Sequence, residues 1–242
     1  MSCTPTFSPF ELSPLSTDRG TRAESSSFRG LAFSRRRQAL LTVKRVLDVV
    51  GSAVGLVFLS PVLLVIAALI RWQSPGPVIF WQQRVGKDGQ VFWFLKFRTM
   101  VVNAEDQLKQ LETSNESTCG VLFKIRDDPR VTRLGRFLRK SSLDELPQLF
   151  NVLLGDMTLV GPRPLQVRDS DRLQFSSPEG FSLRASVTPG LTGPWQVGGR
   201  SEADSGTMLR LDLDYIQNMS LARDLFILCR TFVVVLHGRG AY

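Results

Sequence analysis

Residues Val46–Ile70 read VLDVVGSAVGLVFLSPVLLVIAALI, and Arg71 follows at once. The run exceeds the roughly 18 to 20 residues that a membrane helix needs, so insertion into a bilayer is its first reading. Pro61 sits inside it. Proline has no backbone N–H and crowds the carbonyl one turn earlier, which costs about 3 kcal/mol or more in an ordinary helix and bends it. Ser60, beside it, can donate to a backbone group freed in this way. The flanks carry one sign: Arg35, Arg36, Arg37, Lys44 and Arg45 precede the run, and Arg71, Arg84 and Lys87 follow it. Cationic flanks stay on the cytoplasmic side, so both ends prefer the same face of the membrane. A helix broken at Ser60–Pro61 that enters and leaves by one face satisfies length and charge together; a kinked full span is the alternative.

Upstream, the chain to about Gln38 is rich in Ser, Thr, Pro and Arg, without apolar period or the early apolar core of a secretory signal. The organisation expected is a disordered basic tail over 1–41, a re-entrant membrane hairpin over 42–73 and a catalytic domain over 74–242. The full 242 residues are 43% hydrophobic, enough to bury a core, and carry 30 Lys+Arg against 22 Asp+Glu. A net charge of +8 points to a polyanionic partner: nucleic acid, an acidic membrane surface or a phosphorylated substrate. Cys3, Cys119 and Cys229 are too few and too scattered for a disulfide framework or a cysteine zinc site, which fits a reducing, cytosol-facing setting. His237 is the only histidine, so acid–base or nucleophilic chemistry falls to carboxylates.

Downstream, QSPGP reads as a turn. VIFWQQRV and VFWFLKFRT flank GKDGQ, and Asp88–Gly89 is a strong hairpin signal. The strand period of two puts Phe92, Phe94, Lys96 and Arg98 on one face, with two cations side by side. NAEDQLKQLE reads as a polar helix and TSNESTCG as a loop. In DDPRVTRLGRFLRKSS, Val131, Leu134, Phe137 and Leu138 alternate with Arg130, Arg133, Arg136, Arg139 and Lys140 as an amphipathic helix. SEADSGTMLRLDLDYIQNM and SLARDLFILCRTFVVVLHG are two further helices, the second running from near Ser220 to Gly238 as a core or interfacial element.

Within FLRKSSLDELPQLFNVLLGDM (137–157), Ser142 and Glu145 have capping-box spacing, and Gly155 would close the same helix. That leaves Asp144 and the cations just upstream without a role. A helix start flanked by arginines makes a cradle for a diphosphate. Adjacent carboxylates can then divide the work, one as nucleophile and one as Mg²⁺ ligand. In LVGPRPL (159–165), Arg163 stands between Pro162 and Pro164, a stiff mount for anion recognition.

KRVLDVVGSAVGLVFLSPVLLVIAALIR, KFRTM, DPRVTRLGRFLRKSSLDELPQLFNVLLGDMTLVGPRPL, PGLTGPWQVGGR and LDLDYI, in collinear order over about 43–236, resemble the bacterial sugar transferase family of monotopic phosphoglycosyl transferases. The resemblance implies an α+β, mostly helical fold, with a re-entrant helix–break–helix at Ser60–Pro61, a small β-hairpin and amphipathic interfacial helices around a cytosolic active site. It implies an enzyme on the cytoplasmic face of the inner membrane that moves a sugar 1-phosphate from a UDP-sugar to polyprenyl (undecaprenyl) phosphate. UMP is released, and the reaction opens the assembly of an exopolysaccharide, O-antigen or glycoconjugate. By the same resemblance Asp144 is the nucleophile, Glu145 its partner and the Mg²⁺ ligand, and Lys96, Arg139 and Arg163 contact phosphate or nucleotide; Arg98, beside Lys96 on the strand face, joins them in the expected substrate-binding set.

Thr188 stands where the family usually has a basic residue and Pro194 where a bulky apolar one is common. The chain also looks like a minimal catalytic form with a disordered leader. The rival reading is a non-enzymatic basic adaptor at the membrane surface or a nucleic-acid binder, but a binding surface has no need of an acid pair inside its most basic segment. No nucleic-acid partner is therefore expected; lipid is. A soluble-acceptor phosphotransferase is the third reading, and the apolar hairpin argues against it.

Overall fold

The computed structural model describes residues 35–104, 107, 128–198 and 205–237. The architecture is α+β and predominantly helical. The loop expected over 113–120, with Cys119, lies outside the described residues, as do Cys3 and nearly all of the polar helix expected over 103–112.

Helix α1 runs from Arg35 to Gln73, beginning inside the stretch read as tail. It does not divide at Ser60–Pro61: the helix continues through Pro61, which corrects the expected helix–break–helix. The local hydrogen bonds give the reason. The N–H that Pro61 lacks would have served the Val57 carbonyl, and the Ser60 hydroxyl donates to that carbonyl instead, at 2.7 Å. Contacts partition the chain into Met1–Val46 and Leu47–Tyr242. Of the first unit, the described part is the opening turns of α1.

Within the second unit, α1 is seated at two places. Asp48 is buried; its carboxylate accepts from the Thr158 hydroxyl (2.6 Å) and the Leu159 amide (2.9 Å). Gly51 and Gly55, one turn apart, face Leu159 and Leu149. Further along, Ile66 and Ile70 join Phe97 and Leu138 in a buried cluster, flanked by Leu63 and Ala67. Between the two seats the side chains face outward, Val57 at 72% and Phe58 at 78% exposure. An apolar segment left uncovered by its own protein marks a surface meant for another apolar medium.

Strands β1 (Ile79–Val85) and β2 (Val91–Phe97) form the expected hairpin, antiparallel with Arg84 opposite Phe92, Gln82 opposite Phe94 and Phe80 opposite Lys96. Asp88 and Gly89 both take positive φ, 54° and 77°, as a tight hairpin turn requires. α2 (Arg133–Lys140) is capped by Thr132, whose side chain accepts from the Gly135 amide. After a 3₁₀ turn (Leu143–Glu145) come α3 (Gln148–Leu154) and β3 (Thr158–Val160), with Gly155 ending α3 as the sequence predicts. β4 (Leu165–Gln166) adds to the free side of β1, giving the order β2-β1-β4. α4 (Val167–Ser176), α5 (Pro178–Ala185), β5 (Gly190–Thr192), α6 (Pro194–Gly198), α7 (Ser205–Gln217) and α8 (Leu221–His237) complete the chain.

β5 pairs with β3 in parallel. Val160, Val187, Tyr215, Ile216 and Ile227 form the core beneath that pair. The Tyr215 hydroxyl donates to Asp224 at 2.6 Å, tying α7 to α8. The last helix begins next to Ser220, whose hydroxyl accepts from the Arg223 amide, and its exposed Leu225, Phe226 and Phe232 agree with an interfacial reading.

Candidate active site

The hairpin supplies the first two cations. Phe80, Gln82 and Arg84 share a face with Phe92, Phe94 and Lys96, because cross-strand partners point to the same side. Lys96 Nζ lies 5.0 Å from the centre of the Phe80 ring, and the Arg84 guanidinium 4.8 Å from that of Phe94. Burial, with the charges of Arg139 and Arg84, pulls the Lys96 pKa down to about 8. Arg84 is brought down to about 9 by burial and the neighbouring Arg163. Its hydrogen bonds go to neutral groups, Gln82 Oε1 and the Pro164 carbonyl.

The third cation comes from α2, which lies directly on the chain leaving β2. A Cβ on Gly135 would fall 2.0 Å from the Thr99 carbonyl oxygen, so only glycine permits the approach. The same proximity lets Arg139 Nε donate to Thr99 Oγ1 at 3.0 Å.

The acid pair sits on the 3₁₀ turn. The capping box does not form: Ser142 adopts φ 55° and makes no side-chain cap, and the expected single helix is divided. Pro147 is the cause. It has no N–H to return to the Leu143 carbonyl, which accepts from Leu146 N (3.3 Å) in a tighter turn. Glu145 is thereby released from capping, and Arg163 forks onto it, at 3.2 Å to one oxygen and 2.5 Å to the other. Asp144 is only 8% exposed, and among the described residues nothing donates a hydrogen bond to its carboxylate. Burial and the Glu145 charge raise its pKa to about 6, against the pull of Lys96, Arg139 and Arg163.

Lys96, Arg84, Arg139 and Arg163 thus act electrostatically on one another and on two carboxylates. Lys96, Arg139 and Arg163 act on Asp144, while Arg84 is offset by Asp169 as well as Glu145, and Arg139 by Asp128 as well as Asp144; cations gathered in this way suit the oxygens of a diphosphate. Among the described residues no group of three or more His, Cys, Asp or Glu could hold a metal by itself. Mg²⁺ commonly takes one or two carboxylates and completes its shell with water and substrate phosphate. Asp144 and Glu145 fit that partial donor set.

Asp144, Glu145, Lys96, Arg139 and Arg163 are therefore brought together. Arg98 is not. Its guanidinium donates to the Ser74 carbonyl and hydroxyl and to the Pro75 carbonyl, capping the end of α1, whose last carbonyls lack helical partners. This corrects the expected side-by-side cations. Ser60 and Pro61 lie on α1 as described above. Arg84, absent from the sequence-derived set, takes the place of Arg98. The signal was present: folding the strands about Asp88–Gly89 puts Arg84 opposite Phe92 and hence on the Lys96 face.

The bacterial sugar transferase family model matches residues 39–238. The chain is 44% identical over 202 residues to a galactosyl transferase of Streptococcus agalactiae serotype III, a match covering 83% of this chain and 44% of that protein. It is 42% identical over 202 residues to an exopolysaccharide production protein of Sinorhizobium fredii, covering 82% and 88%. With a UDP-glucose:undecaprenyl-phosphate glucose-1-phosphate transferase of Caulobacter vibrioides it shares 44% identity over 204 residues, covering 82% and 72%. The match thus covers less than half of the streptococcal relative, of which the chain spans about half the length.

Proposed function

The chain belongs to the bacterial sugar transferase family, and we propose that it transfers a sugar 1-phosphate from a UDP-sugar to polyprenyl phosphate with release of UMP. One observation carries the reading: an unbonded, buried carboxylate, Asp144, stands under the charges of Lys96, Arg139 and Arg163. In the first step an Asp144 oxygen attacks the sugar-linked phosphorus. A bond forms between that oxygen and phosphorus, the bond to the UMP oxygen breaks, and UMP leaves with the electron pair. In the second step a phosphate oxygen of the lipid attacks the same phosphorus and Asp144 departs as a carboxylate, leaving sugar diphosphate on the lipid. Lys96, Arg84, Arg139 and Arg163 stabilise the charge that spreads over the phosphate oxygens. Glu145, with Asp144, would hold Mg²⁺, which supplies further neutralisation of the diphosphate. The reaction would be the first membrane step of exopolysaccharide, O-antigen or glycoconjugate synthesis. The test is purified protein in nanodiscs with polyprenyl phosphate, Mg²⁺ and a panel of UDP-sugars. Release of UMP supports the reading, and release of UDP alone overturns it.

The pKa directions set a pH dependence. The nucleophile must be ionised, so labelling of the protein by UDP-sugar should rise as pH passes about 6, the Asp144 value. Lys96 must be charged, so the rate should fall above about 8. Lys96→Arg should move the alkaline limb upward and leave the acid limb, because in the same surroundings a guanidinium loses its proton at a higher pH than an amine. A profile flat between pH 5 and about 9 would contradict both assignments.

α1 supports a placement with both ends of the apolar run on one side of a membrane. A helix of this length extends about 58 Å at 1.5 Å per residue, about twice the hydrocarbon thickness. Asp48 at one end of the apolar run and Ile66 and Ile70 at the other rest on the same body. Two ends seated on one body lie on one side of a bilayer, with Val57, Phe58 and their neighbours entering the lipid between them. The flanking cations agree, and the site faces the cytoplasm. Pro61→Leu restores the missing backbone donor and should favour a full span, moving residues ahead of the helix to the far side. Accessibility of a cysteine introduced near residue 30 reads this out; outside labelling of the unaltered topology overturns the re-entrant placement.

A further inference from the structure

We propose that Arg184, held by Asp212, is a positioning residue that sets the direction of Arg163. The inference rests on the reading of Arg163 as a substrate-phosphate contact. The segment Pro162–Pro164 contains two prolines, so two of its three residues have no N–H to donate. Its backbone is left mainly with carbonyls for anchoring, and each finds a donor at 2.8 Å. Pro162 O accepts from the Gly190 amide, Arg163 O from Arg184 Nη2, and Pro164 O from Arg84 Nη1.

Two of these donors sit on strands. The middle one comes from helix α5, and it acts on the residue that carries the functional guanidinium. Arg184 can hold that direction because Nε donates to Asp212 Oδ2, also at 2.8 Å, so one planar fork spans a carboxylate on α7 and the loop carbonyl. Both partners are buried, Asp212 fully. A buried ion pair is a poor way to gain stability, since an apolar pair of similar volume is often as good or better. What it supplies is direction. Rotating the 163–164 peptide would break the bond to Arg184 and swing the Arg163 side chain away from Glu145.

The test is a double-mutant cycle in full-length protein in nanodiscs, with UMP release and thermal unfolding measured on every variant. Arg184→Lys keeps the charge and loses the fork, and should lower kcat by about 10- to 100-fold. In an Arg163→Lys background the same change should add less than about twofold, because the group it positions is already gone. Asp212→Asn should repeat that non-additivity. Effects that multiply in the two backgrounds would overturn the proposal while leaving the role of Arg163 intact. An Arg163→Lys protein as active as the unaltered one would instead remove the underlying reading and this inference with it. If Arg184→Lys and Asp212→Asn both fail to fold, the pair serves folding and the proposal falls.

Discussion

Asp144→Asn protein is expected to release UMP more slowly by about 10⁴-fold or more, with no covalent phosphosugar on the protein. The amide is nearly isosteric with the carboxylate, and Asp144 makes no hydrogen bond that the change would break. Packing should therefore survive. The four cations also remain, and with one acid fewer to offset them the UDP-sugar should bind at least as well as before. Loss of turnover with retained affinity separates a missing nucleophile from a damaged site. The direct readout is UDP-sugar labelled in its β-phosphate, incubated without lipid acceptor and followed by peptide mapping. Unaltered protein should carry label on the peptide containing Asp144, and the variant none. Label on another residue, or full activity of the variant, would remove the central claim.

Arg163→Lys should lower turnover by about 10²- to 10³-fold while thermal unfolding stays nearly unchanged. The loop is held by three bonds to its carbonyls besides the Arg163 side chain, so the fold has little to lose. The chemistry has more to lose: a lysine keeps the charge, but it cannot place two N–H groups in one plane as the fork on Glu145 does. Turnover measured beside a melting curve decides the matter, and unchanged activity would make Arg163 a loop residue only.

The hairpin, the amphipathic α2, the glycine stop at Gly155 and the two closing helices were legible because each is written in local periodicity or turn chemistry. The convergence of Asp144, Glu145, Lys96, Arg139 and Arg163 was legible as chemistry from charge crowding, and as a set from motif order. The failures differ in kind. The capping box has the right spacing, but Pro147 removes a donor two residues beyond it. Arg98 follows the strand period, but the strand ends at Phe97 and unpaired carbonyls after α1 capture the guanidinium. Asp48, an acid inside the apolar run, has its partners, Thr158 and Leu159, far along the chain. Arg98 and Asp48 are settled by tertiary partners that no local window contains, whereas Pro147 acts through the backbone within the stretch already read.

β2 lies at the outer edge of its sheet, and such an edge ordinarily offers a row of unused backbone groups to any passing strand. Asn151 removes the offer. Its side-chain amide donates to the Trp93 carbonyl (2.7 Å) and accepts from the Leu95 amide (3.1 Å), which is the donor–acceptor pair of a neighbouring peptide unit. One residue of α3 thus imitates a fourth strand and protects the edge from pairing with another copy. It also works as a proofreader of register: a slip of β2 by one position would turn Lys96 out of the site and forfeit both bonds at once, so helix docking and correct strand alignment reward the same arrangement.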